Sequence, residues 1–198
     1  MKALLVATSL MHTVGIVLLT WHRPWVQSNV WDLGHRIIPF WSSAARLADY
    51  LTVFSPAISM LCVPTRVRRG VFAFGIRLWS RLWILRVPCL LVTMFPPLNP
   101  GKPNSNFGFL TVLKHLALGT DYETIFSGHA AVVAASLLAA RPYLPWTILA
   151  SIGTLHTGLI LSARNHYTVD ILVAWMLALL LWWNDQRCIC TRCLQIPA

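Results

Sequence analysis

Six apolar runs, near residues 3–21, 47–64, 70–95, 124–140, 143–162 and 167–184, take up most of this chain. Each approaches the ~20 residues with which an α-helix crosses ~30 Å of hydrocarbon. Composition points the same way: 57% of the residues are hydrophobic and 11% charged, where soluble domains carry roughly 25% charge. The runs are too evenly spread for a soluble core with one anchor. The expectation is an all-α, polytopic, integral membrane protein whose six transmembrane helices form a single bundle over residues 1–184, followed by a short Cys/Arg tail at 185–198.

The second run contains Pro56 and ends at Pro64, and the fourth is short and rich in small residues. Pro and Gly are tolerated in such helices where neighbours satisfy the freed backbone groups. The first run is longer than the apolar core of a secretory signal, and no small-x-small cleavage site precedes Trp21, so it reads as an uncleaved first helix. The Pro/Gly/Asn-rich stretch from Phe95 to Asn104 reads as the long loop between the third and fourth spans. Trp21, Trp25, Trp146, Trp182 and Trp183 fall near run ends, where indoles anchor in the headgroup layer.

The net charge of +10 is scattered through short loops rather than gathered on one soluble face. That distribution argues against nucleic acid and for anionic lipid headgroups as the partner. Lys and Arg are nearly balanced between the two sides of a six-span protein. Arg66, Arg68 and Arg69, packed into one very short loop, favour the cytosol for that loop and for both termini.

Chemistry concentrates in the last third. Ser127-Gly128-His129 opens the fourth run and His166-Tyr167-Thr168-Val169-Asp170 opens the sixth. The fifth run crosses back between them, so both histidines emerge on one face, which the arginine cluster places on the non-cytosolic side. His166 and Asp170 are four apart on one helix, which brings their Cβ atoms within about 5 to 6 Å. A carboxylate there can hold one imidazole nitrogen and leave the other as nucleophile or base. An Asp–His pair alone could merely satisfy itself, but ionisable groups at membrane depth mark function, and a second histidine at the same height completes a reactive set. Phosphoryl transfer at a bilayer surface is the chemistry this pattern suggests.

At these residues the chain resembles the sphingomyelin synthase and sphingolipid synthase family, a branch of the type 2 phosphatidic acid phosphatase superfamily. Phe126-Ser127-Gly128-His129 and the pentapeptide from His166 to Asp170 are similar to its two C-terminal motifs. The stretch from Arg86 to Pro97 is similar to its arginine, threonine and proline motif, and that from Asp32 to Pro39, more loosely, to its first-loop motif. The chain departs from the phosphatase branch: Ile160 stands where that branch has an arginine, Arg164 is only two before His166, and Phe126 replaces a proline. Glu123 occupies a position where the synthases commonly have aspartate.

The resemblance implies a roster of roles. His166, oriented by Asp170, attacks the phosphorus of a phospholipid to give a phosphohistidine. His129 protonates the departing diacylglycerol oxygen and then serves as base toward the incoming hydroxyl. Glu123 tunes His129 or positions the acceptor, and Arg86 and Ser127 contact phosphate. No metal or other cofactor is expected, because His129 and His166 lack a third metal-type ligand. The donor is a glycerophospholipid carrying phosphocholine, phosphoethanolamine or phosphoinositol, and the acceptor is ceramide, with diacylglycerol as the other candidate. A hydrolase that hands the same intermediate to water, and a catalytically silent lipid-binding protein, are the alternatives.

Arg77 and Arg81 read as interfacial residues that snorkel. Cys188, Cys190 and Cys193 form a C-x-C-x-x-C cluster without a nearby His, an incomplete zinc set. Beside Arg187 and Arg192 they fit reversible palmitoylation or a plain solvated tail. Cys62 and Cys89 lie within runs and read as packing residues.

Overall fold

A computed structural model describes residues 31–92 and 126–193. The described residues form α1 (Leu33–Ile37), α2 (Ala44–Leu61), α3 (Thr65–Val92), α4 (Gly128–Ala139), α5 (Trp146–Ser162) and α6 (Thr168–Cys193), with a 3-10 turn over Arg141–Tyr143 and no strand. The described residues are thus all-helical, as expected. The first apolar run, the loop from Phe95 to Asn104, and Glu123 lie outside the described residues.

Helix α4 is the centre of the assembly. It packs against α2, α3 and α6, and all of its twelve residues except Val132 are buried. Its small side chains, already noted in the fourth apolar run, are what let neighbours close on it. Gly75 of α3, for example, lies so near that an added Cβ would stand 3.2 Å from Ala139 Cβ. Helix α5 packs on α2, and Gly153 gives room to the Trp175 indole of α6, which would lie 2.9 Å from a Cβ there.

Pro56 sits inside α2, where it cannot donate to the carbonyl of Thr52 four residues back. The Ser55 hydroxyl donates to that carbonyl instead, at 3.2 Å. The reversal between α5 and α6 passes through Arg164 in the left-handed region, φ 56°, with its amide on Leu161 O and that of Asn165 on Ile160 O. Such a residue is the usual terminator of a helix, though glycine normally supplies it.

Two boundaries and one side-chain placement differ from the sequence reading. Arg66, Arg68 and Arg69 lie in the opening turns of α3, not in a loop, because α2 ends at Leu61 and the next helix begins at Thr65, directly after Pro64. Arg81 does not merely snorkel: its Nη1 lies 2.6 Å from Asp185 Oδ1. Helix α6 continues past residue 184 through Cys193, so the tail is helical over that stretch.

Among the described residues, one segment, Thr168–Gln186, is long and apolar enough to cross a membrane. Gly128–Ala139 and Trp146–Ser162 are apolar but shorter; at 1.5 Å per residue α4 spans only roughly 18 Å. The six-span count therefore remains an expectation. Leu172, Met176, Leu179, Leu180 and Trp183 are exposed along α6 at helical spacing, an apolar stripe of the kind that marks a lipid- or protein-facing surface.

Candidate active site

The site forms where α4 and α6 begin side by side. Ser127 caps α4: its Oγ accepts from the Ala130 amide at 3.2 Å. The residue before it, Phe126, is buried with φ 139°, a conformation that costs a non-glycine residue and concentrates at functional sites. What holds it is a cross-helix bond, since the Ser127 amide donates to the carbonyl of Asp170 at 3.0 Å. The start of α4 is thereby tied to the first turn of α6.

That tie brings the two sequence-predicted histidines together. The rings of His129 and His166 lie 5.7 Å apart, centroid to centroid, at 66°. His166 Nδ1 stands 3.5 Å from Asp170 Oδ2, with both side chains almost wholly buried. The same Oδ2 accepts from the Tyr167 amide at 2.9 Å. Asp170 therefore acts like the acidic third residue of a capping box, reaching back to the residue before the helix, while its carboxylate faces the imidazole.

Arg86 reaches the site from α3. It is buried at 1% exposure, its guanidinium 4.4 Å from the Trp83 ring centroid in the range of a cation–π contact. It also lies against Gly128, where an added Cβ would come 2.9 Å from Arg86 Nη1 and 3.0 Å from the Trp83 ring. Only hydrogen fits there without moving the cation. Replacing Gly128 by Ala should therefore displace the guanidinium and lower kcat/KM by about ten- to a hundredfold, the scale on which ångström misplacements act. An unchanged rate, measured on folded protein, would show that the Arg86 position is immaterial.

The first-loop segment, weak as a motif, clamps the backbone of His166. Asp32 Oδ2 accepts from the Thr168 amide at 2.7 Å, and Oδ1 from the Thr168 hydroxyl at 2.7 Å and the His35 amide at 2.9 Å. One carboxylate thus caps both α1 and α6. His35 Nε2 lies 2.9 Å from the His166 carbonyl; a carbonyl only accepts, so that nitrogen carries the proton. Gly34 admits no side chain, because its Cβ would collide with Thr168 Oγ1, to which the Gly34 amide donates at 3.0 Å. Arg164 closes the clamp from the other side, donating to His35 O at 2.6 Å and Ile38 O at 3.1 Å.

Burial opposes the Asp32 charge, but the Thr168 side chain, the His35 and Thr168 amides and the nearby His35 ring prevail and hold the carboxyl below the usual carboxylate range. A depressed pKa stabilises the fold in full above the unfolded value near 3.9 and loses that contribution as pH falls through the folded value. The clamp is therefore expected to be insensitive to pH from about 5 upward. Asp32→Ala should cost about 2 kcal/mol, the worth of a cap plus a charged hydrogen bond. Thermal unfolding in detergent at pH 7 reads it, and a midpoint equal to that of the unmodified protein would show the clamp to be idle.

One carboxylate at the site escaped the sequence reading. Asp49 Oδ1 of α2 lies 3.0 Å from His129 Nε2. The signal was present, since Asp49 is one of six acidic residues in the chain and lies inside an apolar run, where such a residue is a functional candidate. A third buried histidine, His156, lies apart from the pair: Thr52 Oγ1 donates to Ala48 O at 2.9 Å and accepts from His156 Nε2 at 2.9 Å. Among the described residues no three His, Cys, Asp or Glu side chains converge as a metal ligand set. The side chains of Cys188, Cys190 and Cys193 lie outside the description.

No curated protein matches the chain. Residues 120–187 match the family described as PAP2 superfamily C-terminal. The matched segment contains Ser127, His129, His166 and Asp170, whereas Asp32, Asp49 and Arg86 lie outside it. This match, falling on the segment that carries both histidines, supports the type 2 phosphatidic acid phosphatase superfamily and, with it, lipid phosphatase or phosphotransferase chemistry.

Proposed function

We propose that the protein is a membrane phosphotransferase that moves a phospho-alcohol headgroup from a glycerophospholipid to ceramide, through a phosphohistidine on His166, releasing diacylglycerol. The observation that carries the reading is the pair of imidazoles 5.7 Å apart, one of them backed by the buried carboxylate of Asp170. Asp170 on the Nδ1 side leaves His166 Nε2 as the attacking nitrogen. His129, across the gap, is placed to protonate the leaving oxygen and later to deprotonate the acceptor. Arg86 beside Gly128, together with the N-terminus of α4, supplies positive potential for a phosphodiester. Glu123 keeps the role the resemblance gave it, and Ser127 acts through its cap on α4.

The setting agrees with a lipid substrate. Exposed apolar side chains on α2 (Val53, Phe54, Ile58, Leu61) and along α6 belong with hydrocarbon, in a multi-pass arrangement with the site on the non-cytosolic face and both termini cytosolic. A second reading, a hydrolase that gives the same phosphohistidine to water, is favoured by the phosphatase superfamily of the matched family. Mass spectrometry of lipids after incubation with mixed phospholipids and labelled ceramide separates them. Labelled phosphoceramide formed by the unmodified protein and not by His166→Ala is the expected result; release of free phosphate or phospho-alcohol would make the protein a hydrolase.

A further inference from the structure

Asp49 and His129 are 80 positions apart in the chain and meet because α2 packs on α4, with Oδ1 3.0 Å from Nε2. We propose that Asp49 is the positioning residue of His129: its carboxylate holds the Nε2–H of that ring, so that Nδ1 is the nitrogen that hands a proton to the leaving oxygen. This rests on the phosphotransfer reading of the site.

The geometry supports it in three ways. The other ring nitrogen, Nδ1, makes no hydrogen bond among the described residues, so it is the one open to a substrate. The two carboxylates are unlike: Asp170 is fully buried behind its histidine, whereas the Asp49 side chain is 43% exposed while that of His129 is 10% exposed. Asp49 thus stands at the open side of the ring. One turn on, the same face of α2 presents Thr52 to His156, so this face of the helix is built to meet imidazoles rather than lipid.

The proton balance follows. As the His166 nitrogen bonds to phosphorus, the ester P–O bond breaks and its electron pair stays on the departing alcohol oxygen, which takes the Nδ1 proton of His129. In the second half the acceptor hydroxyl returns a proton to Nδ1 as its oxygen displaces His166 from phosphorus. Asp49 remains a carboxylate throughout, stabilising the imidazolium and fixing which nitrogen works, as a carboxylate does for a histidine base elsewhere.

A leaving group that needs no proton should therefore be indifferent to Asp49 in the first half-reaction. The experiment reads only the first half-reaction, in single turnover without acceptor: release of diacylglycerol from phosphatidylcholine is compared with release of nitrophenolate, which departs unassisted, from p-nitrophenyl phosphocholine, on unmodified protein, Asp49→Asn, Asp49→Glu and His166→Ala. Asp49→Asn is expected to slow the lipid reaction about 100-fold and the nitrophenyl reaction by no more than about threefold, the difference being what general acid catalysis contributes. Asp49→Glu, which keeps the charge, should restore most of the lipid rate, and it also decides the matter should the Asn variant not fold. His166→Ala should be inactive on both. Equal losses on the two substrates, or a Glu variant as slow as Asn, would overturn the assignment and leave Asp49 a structural residue. Inactivity of the unmodified protein on both substrates and on their phosphoethanolamine and phosphoinositol counterparts would instead remove the phosphotransfer reading, and this role with it.

Discussion

Replacing His166 by alanine is expected to lower turnover by about 10⁴-fold or more, as loss of a covalent nucleophile does, while the protein still folds and inserts. The contacts explain why the two effects separate. His166 is held through its carbonyl, which takes the His35 bond, and through the Thr168 and Tyr167 amides that follow it, which bond to Asp32 and Asp170. None of these uses the imidazole. Alanine keeps the backbone clamp and removes only the ring between His129 and Asp170. Head-group transfer measured on protein with an unchanged melting profile checks the prediction, and activity within tenfold of the unmodified protein would remove His166 as the nucleophile.

Asp170→Asn should cost almost as much, about 10³- to 10⁴-fold in kcat, because an amide cannot stabilise an imidazolium or enforce its tautomer as a carboxylate does. Its effect on stability should be small. An asparagine oxygen can still accept from the Tyr167 amide, which Asp170 Oδ2 now does at 2.9 Å, so the first turn of α6 keeps its cap. Asp170→Ala loses that as well and should unfold earlier, by the ~1 kcal/mol that caps contribute. The informative comparison is kcat against lipid affinity: a large fall in the first with little change in the second is the expected outcome. Parallel losses in both would mean that Asp170 builds the fold and not the reaction.

The histidines and Asp170 were legible because two short motifs and one hairpin fix their height without knowledge of packing. The i, i+4 spacing placed Asp170 on the His166 face, and the apolar run between 143 and 162 returned the chain to the same end. Asp49 was not legible as a partner, since its bond depends on α2 lying against α4, a contact that no local pattern states. The same holds for Asp32 and Thr168, 136 positions apart. Ser127 was recognised by its motif, but its hydroxyl serves a helix cap, a role set by where α4 begins. Hydropathy placed the third run at residue 70 because three arginines depress the preceding window; the helix in fact starts at Thr65, directly after Pro64. Hydropathy also does not fix how many helices cross a membrane when a central helix such as α4 is only twelve residues long.

The central claim is that the headgroup passes through His166. The most direct measurement is rapid-quench mass spectrometry of the protein under alkaline conditions, after mixing with an excess of phosphatidylcholine, phosphatidylethanolamine and phosphatidylinositol in the absence of an acceptor. The account predicts an acid-labile phospho-alcohol adduct on the peptide containing His166, absent from His166→Ala and discharged by added ceramide at a rate no slower than turnover. Turnover without any adduct, or an adduct carried by His129 or another residue, would contradict it.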